Sequence, residues 1–258
     1  MKNLSCFSLL VSVFVFIACQ ASVQNTSETK TLGDNPPALG FDVENSDAKA
    51  IAIADDVMKA MGGRTAYDSS RYIGWNFFNS RKLWWDKIAG DVRIESLRDD
   101  FKVKMNIHSM EGEVWKDSTL LTQPDSLNKY LQQGKNIWIN DSYWLVMPFK
   151  LKDSGVTLSY VGEEKSDSLD ADILELRFKN VGKTPDNKYQ VYVDRETNLI
   201  SQWAFFTKAS DDTARFVTPW KNYQQHGDIL LSGDRGKYQL TEIQTGLEVK
   251  NKLNEDLK

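Results

Sequence analysis

Covalent, metal-assisted or acid–base chemistry needs a reactive thiol, a cluster of imidazoles or a matched pair of carboxyl groups. The two histidines are His108 and His226, too few for a His-rich metal site, and each reads as a structural residue. No His-Glu-x-x-His, Cys-x-x-Cys, phosphate-loop or Gly-x-Ser-x-Gly spacing occurs, so no metal, nucleotide or serine nucleophile has a nominated set of residues. Asp and Glu total 36, and a pair of them could serve a glycosidase-type hydrolysis, yet no spacing singles a pair out. No cofactor is expected and no catalytic residue is nominated.

The positive signal is aromatic. Trp75, Trp85, Trp138, Trp144 and Trp203 bring more ring area inward than the cohesion of a sheet requires. Core packing is one reading. The wall of an apolar ligand cavity is the other, because aromatic surface with few polar groups is what such sites are made of. The cavity reading collects Trp75, Trp85, Met105, Trp138, Trp144, Met147, Phe149, Leu176 and Trp203. Asp228 to Gly236, with Gly233 and Gly236 around Asp234-Arg235, reads first as a hairpin turn; an ion-pairing Arg235 at the cavity rim is the alternative.

Strands must hold most of these rings. Ile73, Trp75 and Phe77 share one face, then Leu83 and Trp85, then Val92 and Ile94, then Phe101, Val103, Met105 and Ile107. Period two with one apolar face predicts an antiparallel meander. The pattern resumes with Leu174, Leu176 and Phe178, with Tyr189, Val191 and Val193, and with Leu199, Ser201, Trp203 and Phe205. A hairpin around Ile229 to Ile243 completes the sheet. Ahead of the strands, Ile51, Ala54, Val57, Met58 and Met61 recur at helical spacing behind an N-cap at Ser46-Asp47, and Gly62-Gly63 stops them. A helical insert separates the strand groups. Thr122 and Asp125 resemble a capping box, Leu127, Tyr130 and Leu131 form a stripe, and Gly134 is expected to end it. A second short helix is expected over Asp141 to Met147, closed by Pro148. The fold class expected is α+β, a curved antiparallel sheet or half-barrel cupping a few helices.

The N-terminus supplies an address. Lys2 precedes an apolar run from Leu4 to Ile17, which is shorter than the roughly 20 residues a membrane span needs and fits a signal peptide. The run closes on Phe16-Ile17-Ala18-Cys19, which resembles the lipobox of bacterial lipoproteins, with Phe16 where Leu is usual. That resemblance implies cleavage before Cys19 and lipid attachment to its thiol. The other cysteine, Cys6, would leave with the signal peptide, so no intramolecular disulfide is available to the mature chain. Residues 20–41 are rich in Ser, Thr, Asn, Gln and Gly and contain Pro36-Pro37, the composition of a flexible tether. The expected organisation is a signal peptide over 1–18, lipidated Cys19 and tether over 19–41, and one half-barrel-like domain over 42–258. Gln20 to Gln24 carry no acidic residue; surface-export cues in some bacterial groups are acidic there, so the expected place is the outer membrane, facing the periplasm. A net charge of -4 with no basic cluster in the sequence argues against nucleic acid and against a polybasic membrane patch.

The order helix, meander, helical insert and further strands behind a lipobox resembles the half-barrel of the periplasmic lipoprotein carriers and outer-membrane lipoprotein receptors of the Lol system. In that family a curved sheet cups helices around a cavity for acyl chains. The resemblance spans Ser46 to about Leu247 and is architectural, so no functional position carries over. The runs from Trp138 to Phe149 and from Asp228 to Gly236 resemble uncharacterised lipoproteins of Bacteroidetes, whose activity is unknown. Three functions stay open on this footing. One is binding or transfer of a lipid-like ligand without catalysis, another a carboxylate hydrolase of lipid or glycan, and the third a structural envelope lipoprotein whose partner is a protein.

Overall fold

The computed structural model describes residues 34–166, 169–179 and 186–257. Cys6, Cys19 and the expected tether before Asp34 lie outside them. Helix α1 spans Ala48–Ala60 and α2 spans Arg64–Ser69. The meander follows as β1 (Tyr72–Phe77), β2 (Arg81–Asp86), β3 (Asp91–Ser96), β4 (Phe101–Asn106), β5 (Gly112–Lys116) and the short β6 (Thr119–Leu120). Helix α3 (Pro124–Val146) runs into a 3-10 turn at Met147–Lys150. Then come β7 (Val156–Ser166), β8 (Leu169–Phe178), β9 (Lys188–Asp194), β10 (Ile200–Phe206), β11 (Phe216–Pro219), β12 (Lys221–His226), β13 (Ile229–Arg235), β14 (Tyr238–Thr245) and α4 (Leu247–Asn254).

All pairings are antiparallel. One sheet runs β12-β13-β14-β1-β2-β3-β4-β5-β6 and the other β11-β10-β9-β8-β7. Neither closes on itself, so the fold is the open α+β half-barrel. The sheets meet where Trp220 N donates to Ser201 O at 2.8 Å and Tyr223 Oη to Ile200 O at 2.8 Å.

The concave face carries the alternating residues read from the sequence. Ile73, Trp75, Leu83, Val92, Ile94, Val103, Leu176 and Trp203 are all buried in one core with Leu131, Leu145 and Met147 from the helical insert. On the convex face Trp84 packs with Val249 and Leu253 of α4. Arg93 holds the end of that helix by donating to the carbonyls of Lys252, Glu255 and Asp256.

Several expectations change. The helical insert is one continuous helix, and Gly134 does not end it. A Cβ at Gly134 would stand 3.1 Å from Met105 Sδ and 3.1 Å from Val103 Cγ1, so the glycine lets α3 approach β4 closely. The N-cap is Gln123 with Pro124 at the first helical position, the place where a missing N–H costs nothing; Thr122 caps nothing. Asp47 is the N-cap residue of α1 but makes no side-chain cap, because its carboxylate accepts from Tyr160 N at 2.7 Å.

Residues 34–41, expected within the tether, lie on the body. Asn35 Nδ2 donates to Asp55 Oδ1 at 2.8 Å, Lys152 Nζ donates to Asn35 O at 2.5 Å, and Phe41 joins the core. The polar composition hid an anchoring ring and a bonded backbone. This segment continues beside the outer edge of β7, where Asp42 N donates to Val156 O at 3.0 Å and Asp47 N to Leu158 O at 2.9 Å. Past Tyr160 the same edge carries an irregularity before Gly162 and the charges of Glu163, Glu164 and Lys165. Cover, bulge and charge are three ways to protect an exposed sheet edge.

Candidate functional site: an aromatic cavity with a basic wall

Three hairpin turns end at the same edge of the large sheet. They are Phe78-Asn79-Ser80 between β1 and β2, Leu97 to Asp100 between β3 and β4, and Gly236-Lys237 between β13 and β14. Backbone bonds tie them laterally, from Phe78 N to Gln239 O at 3.0 Å and from Leu97 N to Ser80 O at 2.8 Å. With β11 and the C-terminal half of α3 they surround a cavity of about 870 Å³, within the range of roughly 300–1,000 Å³ typical of small-molecule sites.

Its apolar wall is a connected aromatic cluster. Trp144 meets Phe78 edge-on at 5.2 Å and Phe216 face-on at 5.8 Å, and Phe78 stacks with Tyr238 at 5.0 Å. Trp144 also meets Trp203 at 4.5 Å, so the wall continues directly into the core. Phe78 and Asn79 have φ of 52° and 47°, the pair of left-handed residues that a tight hairpin turn demands. An Asn-Gly pair would adopt that geometry with less strain; Phe78 instead places a half-buried ring on the cavity. Val217 and Tyr238, 52 % and 46 % exposed, mark the mouth.

The polar part of the wall is cationic: Arg81, Arg98, Arg235 and Lys237, with no Asp, Glu or His among the described residues that line it. Arg81 is neutralised by Asp141 of α3, with Nε to Oδ2 at 2.5 Å and Nη2 to Oδ1 at 3.0 Å. Burial pushes the Asp141 carboxyl up and the Arg81 contacts oppose that. Arg235 is 1 % exposed. Its guanidinium donates to Ser232 Oγ and to the carbonyls of Ser232, Asp234 and Trp144, and lies 3.3 Å from the centroid of Trp220. Its Nε has no partner among the described residues, and burial pulls its pKa down to about 9. The turn reading of Asp228 to Gly236 is corrected, because Ile229–Arg235 is strand β13 and the chain turns after it, at Gly236-Lys237. Arg235, the alternative, does stand in the cavity wall, without an ion pair among the described residues.

A second cavity of about 280 Å³ lies across α3, lined by Trp85, Trp138, Tyr143 and Phe178 among others. Trp85 Nε1, Trp138 Nε1 and Tyr143 Oη find no partner among the described residues, and ordered water is the usual answer to such groups.

The nine residues nominated from sequence therefore divide. Trp144 lines the larger cavity, and Trp85 and Trp138 line the smaller. Trp75, Met105, Met147, Phe149, Leu176 and Trp203 are core, 0–3 % exposed, because α3 and the 3-10 turn, which carries Met147 and Phe149, fill the sheet face that the other four occupy. Sequence reasoning missed Phe77, Phe78, Phe216 and Tyr238. Of the cationic wall it offered only Arg235, as an alternative at the cavity rim, since Arg81, Arg98 and Lys237 are scattered along the chain and only the hairpin ends gather them. One signal was available: a Phe in a turn position at 78, where Gly, Asn or Asp is favoured. Among the described residues no group of His, Cys, Asp or Glu is arranged to hold a metal ion. His108 packs against Gly90 and His226 is half-buried on β12, both away from the larger cavity.

No family model matches this chain, and no curated protein does; the resemblance to Bacteroidetes lipoproteins gains no support. Among solved structures, a DUF1329 family protein from Desulfovibrio piger is similar with a TM-score of 0.42 and 13 % identity, covering 77 % of this chain and 93 % of that one. A domain assigned to outer membrane lipoprotein sorting, from Vibrio parahaemolyticus, gives 0.39 and 12 %, covering 80 % and 96 %. MucB gives 0.31 and 14 %, covering 82 % and 64 %.

Proposed function

We propose that this protein binds a lipid-like ligand without catalysis, in the cavity at the hairpin ends, as an exported lipoprotein anchored through Cys19 and facing the periplasm. The observation that carries the reading is the cavity itself: about 870 Å³, walled by Phe77, Phe78, Trp144, Phe216 and Tyr238. Aromatic rings around an open cavity of this volume suit an apolar ligand. Binding is favoured over hydrolysis because the described wall holds neither a carboxylate nor an imidazole to move a proton.

The test is native mass spectrometry of the full chain carrying Cys19→Ala, so that no acyl group of its own competes. Co-purifying apolar ligand, reduced by Trp144→Ser with the fold intact by circular dichroism, is the expected outcome. A chain that stays empty after incubation with envelope lipid extract would sink the proposal.

A further inference from the structure

Charge, not only apolarity, distinguishes this cavity, and the point rests on the binding reading above. Arg235 is buried in the wall and has no carboxylate partner among the described residues. Asp234, its neighbour in sequence, has its Oδ1 occupied by Gly236 N at 2.8 Å and Gln239 Nε2 at 3.0 Å. At the mouth, Arg98 and Lys237 are exposed and carry no ion pair among the described residues. Asp99 and Asp100 share the turn of Arg98 but are not part of the wall, and Asp100 is held by Ser118 Oγ at 2.6 Å. Arg81 alone is compensated, by Asp141.

We infer that the ligand is an amphiphile with an anionic head, its apolar chain against Phe78, Trp144 and Phe216 and its head at Arg98 and Lys237, with Arg235 behind them. A buried cation without a counter-ion is costly, and a bound anion supplies what the fold omits. Arg and Lys suit both carboxylate and phosphate heads through charge-assisted hydrogen bonds, so the shared chemistry is the anion on a single chain. A neutral head of equal chain length gains only the burial term.

Titration calorimetry of the full chain carrying Cys19→Ala, with dodecanoate, dodecyl phosphate and dodecanol, separates these contributions. Both anions, or one of them, should bind about tenfold or more tighter than dodecanol; the tighter head names the source as fatty acid or phosphate ester. Arg98→Gln with Lys237→Gln changes exposed turn positions that the core does not use. That double variant should lose most of the margin by which the anions bind tighter than dodecanol. Equal affinities for all three ligands would overturn the anionic head and leave the apolar cavity standing. No binding by any of them would overturn both readings. Inorganic phosphate binding as tightly as dodecyl phosphate would overturn the amphiphile.

Discussion

Trp144 and Trp203 have ring centroids 4.5 Å apart yet should respond to truncation differently. Trp203 is 3 % exposed and surrounded by Tyr189, Phe216 and Trp220. Trp203→Ala should therefore cost about 3–5 kcal/mol in urea unfolding, as large core truncations do. Trp144 has one side on open space, so Trp144→Ala should cost less than half of that while lowering ligand affinity. Equal losses would mean that Trp144 is plain core. Lys87 offers a second residue-level test. Its Nζ donates to Tyr67 O and lies 3.5 Å from the Tyr67 ring centroid, and burial pulls its pKa down to about 8. Below that pH both states hold the proton and the fold bears the full cost of the buried charge. Between about 8 and the ordinary value of 10.5 the unfolded chain binds more protons, so stability rises with pH through that window. Lys87→Met should flatten the rise, which is at most roughly 3 kcal/mol for a shift of this size and less once solvent screening is allowed for, in melts from neutral to alkaline pH. An unchanged slope would assign the effect elsewhere.

Helix α3 shows what pattern reasoning reads and what it does not. Its apolar stripe is legible, because a 3.6-residue period is local. The expected stop before Pro148 is not a clean one, since Met147 keeps helical geometry and α3 passes into a 3-10 turn that contains the proline. Gly134 is misread as a terminator because its role is a tertiary contact with Val103 and Met105, which no local window contains. Gly134→Ala would gain roughly 1 kcal/mol of helix propensity. It would set that gain against overpacking worth about 1–3 kcal/mol, because Val103 is stiff, fully buried and unable to yield. A lower melting temperature is expected; a higher one would show that β4 yields. The strands follow the same division. β1 to β4 and β8 to β10 are readable from alternation. β5, β6, β11 and β12 lack a clean apolar face, and their pairing with neighbours defines them, whereas β7 alternates Val156, Leu158 and Tyr160 and is readable. The cavity is the least legible part, since its wall comes from turns and strand ends, whose sequence obeys turn chemistry.

At the scale of the molecule, the proposed anchor and the body can be separated experimentally. Cys19→Ser should move the protein from the membrane fraction to the soluble one, or trap it as precursor, because thioether formation needs the thiol. Unmodified wild-type protein starting at another residue would end the anchoring proposal. The folded body meets the chain that precedes it through the segment lying beside β7. Tension on the N-terminal side of Asp34 would load that segment first: the Asn35 contacts with Asp55 and Lys152, then the bonds from Ala38 and Asp42, and last the bond from Asp47 to Leu158. These give way one after another, whereas the β7–β8 ladder behind them is pulled as a block. A protein held in this way would yield under force at its margin before its centre, uncovering a strand edge while the cavity at the opposite hairpins keeps its shape.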